Sequence, residues 1–387
     1  MAHRRETDVI HAGDGARPDA TPLTTPVYAT TTFVFANAAE LEAYQEGKGH
    51  QYIYSRYANP SVQAVEEKLA LLEGAERAMV TSSGMAATAT ALFGLLKAGD
   101  EVICSAAIYG GTLHLIADFL KRGGVSARFA SLDELAKPEG LFTPATKLLW
   151  FESPINPTLR CVDIRTLAAA CRSHKVLSAI DNSFASPVNQ QPLALGIDLV
   201  MHSATKYLNG HTDVTAGALA GSAALLDQLH AARKLFGGVL EPASAYALAR
   251  GMKTLHVRVA RQNESAHRIA SWLSDNTRVV RVYYPGLASH PDHEIARRQM
   301  SGFGGMVCFD VGSYDAARRV FDRLQVVKRA ASLGGVESLC SLPVLTSQYG
   351  LSDEQLAAAG VTRGMIRLSV GLEHPDDLIE DLDQALG

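Results

Sequence analysis

An excess of charge of one sign is missing from this sequence: 36 lysines and arginines face 40 aspartates and glutamates. The formal net charge of −4 offers no global basic surface, which argues against nucleic acid or an anionic membrane as partner. Long hydrophobic runs are missing too. No apolar stretch approaches the roughly 18 residues that span a bilayer. The basic start "MAHRRETDVIHAG" has no apolar stretch behind it of the kind a secretory signal carries. Cysteine is scarce. Cys104, Cys161, Cys171, Cys308 and Cys340 are odd in number, scattered and without CxxC spacing, so reduced thiols in a cytoplasmic protein are expected rather than disulfides or a zinc site. His290, His293 and Glu294 of "SHPDHE" lie close together, but the spacing fits neither HExxH nor HxxEH, and no metal is expected. Neither a Walker loop nor a GxGxxG fingerprint is present, so nucleotide readings find no support.

What is present is alternation. At 387 residues the chain is too long for one compact core. Residues 1–58 carry weak periodicity and several Thr, Pro and Gly, as an extended arm would. "SVQAVEEKLALLEG" then reads as an amphipathic helix ending at Gly74. Short apolar runs follow ("RAMVTSS", "DEVICS", "VSARFA", "TKLLWFES", "KVLSAID", "DLVMHSAT", "AGALAG"), separated by helical stretches from Gly84, near 110–122 and over 163–174. This pattern predicts an α/β fold with a mainly parallel sheet covered by helices on both faces. Near 235–262 one long helical pattern, "PASAYALARGMKTLHVRVARQNESAHRIASWL", reads as a bridge to a smaller α+β part with strands such as "GGMVCFDV" and "MIRLSV". The expected domains are an arm over 1–58, a large domain over 59–250 and a small one over 251–387. No internal repeat or low-complexity tail is found.

In open α/β sheets, ligands gather where strands end and helices begin. Three residues fall at such ends: Ser83 in "TSSGMAA", Asp181 in "AIDNS" and Lys206 in "MHSATKYLNGHTD". Ser83 and Gly84 open a helix whose free N–H groups suit a phosphate, although a plain helix cap explains the same residues. Asp181 is either a turn cap or a carboxylate aimed into the crevice to hold a heterocyclic N–H⁺. Lys206, desolvated at the next strand end, is pushed toward its neutral, nucleophilic form and suits imine formation with an aldehyde. Ser203 and Thr205 beside it supply hydroxyl donors to the same phosphate. A phosphate cradle, an aspartate and an imine-forming lysine are together what pyridoxal 5′-phosphate requires.

The chain resembles the Cys/Met-metabolism (trans-sulfuration) family of pyridoxal-phosphate enzymes: cystathionine γ-synthases and γ-lyases, methionine γ-lyases and homoserine sulfhydrylases. The motifs run through nearly its whole length, among them "IHAG", "YSRYANPS", "SSGMAA", "YGGT", "FESPINPT", "IDNSFASP", "HSATKYLNGHTD", "YPGLASHPDHE", "SLGGVESL" and "RLSVGLE". The resemblance implies the type I aminotransferase fold. It also implies that Lys206 is the imine lysine, Asp181 pairs with the pyridine nitrogen, and Tyr109 stacks on the ring and joins proton transfer to the leaving group. Ser203, Thr205, Gly84 and Met85 would bind the phosphate, the last two through backbone N–H. Tyr54 and Arg56 would reach the phosphate of a neighbouring subunit's cofactor, making the protein a homo-oligomer, by family habit a tetramer built as a dimer of dimers. Arg367 would clamp the substrate α-carboxylate in a bidentate contact, assisted by Asn156 and Ser332.

For specificity, cystathionine-handling members typically carry acids just before the tyrosine of "YSR" and just before "SLGG", where this chain has Ile53 and Ala331. A second ammonium would there lack its partners. The expected function is therefore a carbon–sulfur γ-lyase on methionine- or homocysteine-like amino acids that gives 2-oxobutanoate, ammonia and a thiol. A cystathionine γ-synthase or γ-lyase, or an O-acylhomoserine sulfhydrylase, is the alternative. It is favoured by Gly111, where methionine γ-lyases commonly have cysteine, and by "SLGGVESL". A non-catalytic protein on the same fold is a further alternative, against which the intact set Lys206, Asp181, Tyr109 and Arg367 argues.

Overall fold

The structure, a computed structural model, describes residues 4–12 and 22–387. Its larger sheet contains β1 (Arg77–Thr81), β2 (Glu101–Ser105), β3 (Ser126–Ala130), β4 (Thr146–Glu152), β5 (Leu177–Asp181), β6 (Leu199–His202) and β7 (Gly217–Gly221), in the order β1-β7-β6-β5-β4-β2-β3. The pairs β2–β3, β2–β4, β4–β5 and β5–β6 are parallel. β7 runs antiparallel to both β6 and β1, so β1 points the same way as the parallel strands. The C-terminal ends of β1, β4, β5 and β6 therefore lie along one edge of the sheet.

The inner strands are apolar without alternation because both of their faces are covered, whereas the edge strand β3 is largely exposed. Along β4, Leu148 and Trp150 pack into one buried cluster with Met79, Cys104, Ala179 and Met201, while Leu149 and Phe151 pack into another with Ile103, Ile180 and Val200. Helices Gly84–Leu95 and Ala223–Phe236 contribute Leu92, Leu226 and Leu229 to the first cluster, and helix Ile164–His174 contributes Leu167 and Cys171 to the second. All five cysteines are buried and free.

The second sheet holds β8 (Arg281–Tyr283), β9 (Met306–Asp310), β10 (Lys328–Arg329), β11 (Leu339–Ser341) and β12 (Met365–Ser369), in the order β10-β11-β12-β9-β8. All its pairs are antiparallel except β10–β11. On β12, Ile366 and Leu368 enter the buried cluster of this part of the chain, which sends Arg367 to the opposite face.

Two expectations are corrected. The helical pattern near 235–262 is not one helix: the chain forms Pro242–Met252 and Leu255–Ser274, with a break at Lys253–Thr254. Packing decides this. A Cβ on Gly251 would meet the Asn209 carbonyl oxygen at 2.2 Å, and the Arg258 guanidinium bonds the Tyr207 carbonyl at 2.9 Å and the Gly251 carbonyl at 2.8 Å. That arginine takes the Gly251 carbonyl, which a continuous helix would have bonded internally, and ties the break to the turn at Tyr207. The N-terminal segment is not wholly extended either, since Arg5–His11 and Ala38–Gln45 are helical. The latter buries none of its residues. Residues 1–3 and 13–21 of the expected arm lie outside the described residues.

Candidate active site

A cavity of about 610 Å³ opens at the sheet edge where β1, β4, β5 and β6 end. The turn after β1 brings Ser83, Gly84 and Met85 to its wall. Ser83 caps the helix Gly84–Leu95: its Oγ accepts from the Ala86 N–H at 3.0 Å, which leaves its own proton available. The N–H groups of Gly84 and Met85, in the first turn, have no acceptor among the described residues. A Cβ on Gly84 would lie 3.1 Å from both Cβ and Oγ of Ser203. Glycine thus keeps open the gap between this turn and the Ser203 hydroxyl. Those donors and the dipole of a twelve-residue helix make one end of the cavity an anion site. Thr205 also lines it, but its single hydroxyl proton goes to the Ala216 carbonyl at 3.2 Å, and its oxygen accepts from the Ala216 N–H at 2.9 Å.

Asp181 ends β5 and lines the cavity, its Oδ1 accepting from the Ser183 N–H at 3.0 Å. Burial pushes its carboxyl pKa up, while the Ser183 hydrogen bonds, His202 and Lys206 pull it back. A cationic N–H facing it would remove the burial penalty by pairing the charge.

Lys206 sits in the turn after β6, and its Nζ donates to the Ser332 Oγ at 2.7 Å. Burial pushes the amine's pKa down, the Arg367 guanidinium adds to this, and Asp181 opposes it. Ser332 has φ +97°, a left-handed conformation that costs a non-glycine residue about 1–3 kcal/mol. The strain turns its two oxygens to different partners. The hydroxyl takes Lys206, and the carbonyl accepts from Arg367 Nη2 at 3.2 Å. Arg367 Nη1 donates to Asn156 Oδ1 at 2.8 Å. Lys206, Ser332, Arg367 and Asn156 are thereby joined in one chain of hydrogen bonds, with Ala331 on the cavity wall beside them. Tyr109, 49% exposed, lines the cavity too. A Cβ on Gly111 would approach Tyr109 Cε1 at 2.6 Å and Met85 Sδ at 3.1 Å, so the ring lies directly against this glycine.

Three predicted residues are not brought to the cavity. Ile53, Tyr54 and Arg56 lie elsewhere on the same chain, where Arg56 Nη1 donates to the Lys234 carbonyl at 2.7 Å and its guanidinium lies 5.0 Å from the Tyr57 ring centroid. Among the cavity residues that the sequence reading did not single out, Glu152 carries the most chemistry. Glu152 ends β4 directly opposite Asp181 in register, is 5% exposed, and accepts from the Tyr109 and Asn156 N–H groups at 3.0 Å each. Burial and the neighbouring Asp181 push its carboxyl up to about 8, against the pull of those two bonds. The signal that singled out Asp181, an acid closing a buried apolar strand, was equally present in "TKLLWFES".

An anion cradle at one end, a buried carboxylate, and an amine held partly desolvated form a donor set that fits pyridoxal phosphate. The chain matches the Cys/Met metabolism PLP-dependent enzyme family over residues 6–387. It belongs to that family. Its cofactor is pyridoxal phosphate, and its fold is the type I aminotransferase fold. Relatives within this trans-sulfuration family carry different activities. The chain is 40% identical to the chloroplastic cystathionine gamma-synthase 1 of Arabidopsis thaliana over 97% of its own length and 68% of the relative's. It is also 40% identical to the L-methionine gamma-lyase of Pseudomonas putida, over 98% of this chain and 96% of the lyase. The solved cystathionine gamma-lyase from Lactobacillus plantarum, complexed with L-serine, superposes with a TM-score of 0.92 at 36% identity, covering 99% of this chain and 98% of that one. The two 40% identities are equal, so the choice of reaction rests on the site.

Proposed function

We propose that this trans-sulfuration enzyme is a carbon–sulfur γ-lyase that converts methionine- or homocysteine-like amino acids and water to 2-oxobutanoate, ammonia and a thiol. The observation that carries this reading is the distribution of charge in the cavity. Its lining carboxylates, Asp181 and Glu152, both stand at strand ends of the large sheet, whereas the wall beside Ser332 and Arg367 presents Ala331. A substrate tail with a second ammonium would be desolvated there without a counter-charge, at a cost of several kcal/mol. A neutral thioether or thiol tail meets no such penalty.

Bound pyridoxal phosphate supplies an electron sink for charge developing at the substrate Cα. In the proposed roles, Ser83, Ser203 and the Gly84 and Met85 N–H groups hold its phosphate, while the Asp181 carboxylate keeps the pyridine nitrogen protonated. Thr205 joins the phosphate only by giving up its bond to Ala216. Arg367, already oriented by Asn156 Oδ1 and the Ser332 carbonyl, takes the substrate α-carboxylate through its planar fork. Lys206 Nζ, neutral at lower pH than a free lysine, removes the α-proton as general base. Ser332 Oγ holds that amine in place between its two tasks. Tyr109, whose ring lines the cavity beside Gly111, would deliver a proton to the departing sulfur.

The closing experiment offers methionine, homocysteine, cystathionine and O-acyl homoserines to the purified protein, with and without cysteine or sulfide, and measures 2-oxobutanoate. Methionine or homocysteine is expected to yield keto acid without an added thiol. Keto acid from cystathionine alone would refute the role given to Ala331 and Ile53. The second reading, a cystathionine γ-lyase, or γ-replacement by a cystathionine γ-synthase or an O-acylhomoserine sulfhydrylase, is favoured by Gly111. The Tyr109 ring occupies the space where the cysteine common in methionine γ-lyases would project.

The position of Ile53, Tyr54 and Arg56 away from their own chain's cavity supports a homo-oligomer in which they serve a neighbour's site, a tetramer built as a dimer of dimers with the 1–58 arm as the contact. The large domain is taken as 59–250 and the small one as 251–387. Light scattering on the eluting protein is expected to give at least twice the chain mass of 41.3 kDa. A monomer with full activity would rule the shared site out.

A further inference from the structure

We propose that Glu152 is a positioning residue that sets the two sides of the active site relative to each other, by holding the main chain of Tyr109 on one carboxylate oxygen and that of Asn156 on the other. Oε2 accepts from the Tyr109 N–H and Oε1 from the Asn156 N–H, each at 3.0 Å. The first bond fixes the residue whose ring lies against Gly111. The second fixes the residue whose Oδ1 orients Arg367 at 2.8 Å. One side chain therefore ties the ring-facing wall to the carboxylate clamp, across loops that leave two different strands, β2 and β4.

The residue type follows from the geometry. Both contacts are main-chain donors, so the brace needs two acceptors on one planar group, which among the side chains only a carboxylate provides. Glutamine matches the shape but turns one acceptor into an NH₂ that faces an N–H, losing one bond and adding a repulsion. Aspartate keeps both acceptors but is one methylene shorter and cannot reach both donors from the same backbone position. A carboxyl held at a buried strand end beside Asp181 is costly to keep for packing alone, since its desolvation must be offset by hydrogen bonds.

The inference rests on the roles proposed above for Tyr109 and Arg367, but not on which amino acid is the substrate. Its test uses the holoenzyme of E152Q, E152D, Y109F and the E152Q/Y109F double variant. In E152Q the visible circular dichroism of the bound cofactor, recorded without substrate, is expected to change, and KM for the amino acid turned over by the wild type to rise about 10- to 100-fold. The kcat losses of E152Q and Y109F should be non-additive, the double variant falling no more than about twofold below the worse single one, because both act through the same ring. E152D is expected to change in the same direction, and serves if E152Q does not accumulate as folded protein. The proposal is overturned if these variants lose thermal stability while KM and the cofactor's circular dichroism stay at wild-type values, or if the two losses simply multiply. Failure of the substrate reading alone would leave the substrate-free spectrum altered, which keeps the two ideas distinguishable.

Discussion

Lys206→Ala is expected to lower turnover by at least about 10³-fold while the protein still takes up pyridoxal phosphate. The magnitude follows from the loss of a positioned general base together with the loss of covalent attachment. Retention of the cofactor follows from the separate anion site, since the Gly84 and Met85 N–H groups and the Ser203 hydroxyl do not depend on the lysine side chain. Two measurements check it. Turnover of the best substrate from the panel should fall to background, and borohydride, which fixes the cofactor to the wild-type chain, should leave it dialysable from the variant. Residual turnover within about tenfold of wild type would remove Lys206 from the chemistry.

Arg367→Ala should act mainly on KM. The guanidinium is 7% exposed and already held at 2.8 Å by Asn156 Oδ1 and at 3.2 Å by the Ser332 carbonyl, so little ordering is left for the substrate carboxylate to induce. Deleting a buried, hydrogen-bonded partner of a charge typically costs about 2–5 kcal/mol, which corresponds to a rise in KM of roughly 30- to 5,000-fold. Arg367→Lys is expected to recover only part of this, because an ammonium cannot take the carboxylate through two parallel bonds. Steady-state kinetics of the three forms decide the matter. An unchanged KM with lowered kcat would place the α-carboxylate elsewhere. Because the Arg367 charge also pushes the Lys206 amine pKa down, its removal should let that amine hold its proton to higher pH, moving the acid limb of kcat alkaline.

Much of the site was legible beforehand, for a common physical reason. Ser83, Asp181 and Lys206 each follow an apolar run too short and too continuous to be anything but a buried strand, and polar residues at such ends face a crevice. Where the reading failed, the cause was tertiary. The pattern near 235–262 carries helical periodicity throughout, and no local signal marks the break at Lys253–Thr254, which depends on the Asn209 backbone pressing against Gly251 and on Arg258 reaching the Tyr207 carbonyl. Thr205 was legible as a hydroxyl donor, but its engagement with Ala216, eleven residues away on the approach to β7, was not. Glu152 was passed over although its strand carries the same signature as that of Asp181. Only the pairing of β4 with β5 brings the two carboxyls together and reveals that Glu152 holds two main-chain donors.

By itself the sequence determined the fold class, the family and the cofactor, because these depend on local patterns: strand-end acids, a glycine-opened helix and a lysine among hydroxyls. The tertiary structure decided what those residues do to one another. Ser332, in a strained left-handed conformation, spans the gap between Lys206 and Arg367, which lie 161 positions apart in the chain. Contacts over such separations depend on how two sheets pack, and burial there shifts the Lys206 amine toward neutrality in a way no stretch of thirteen residues encodes.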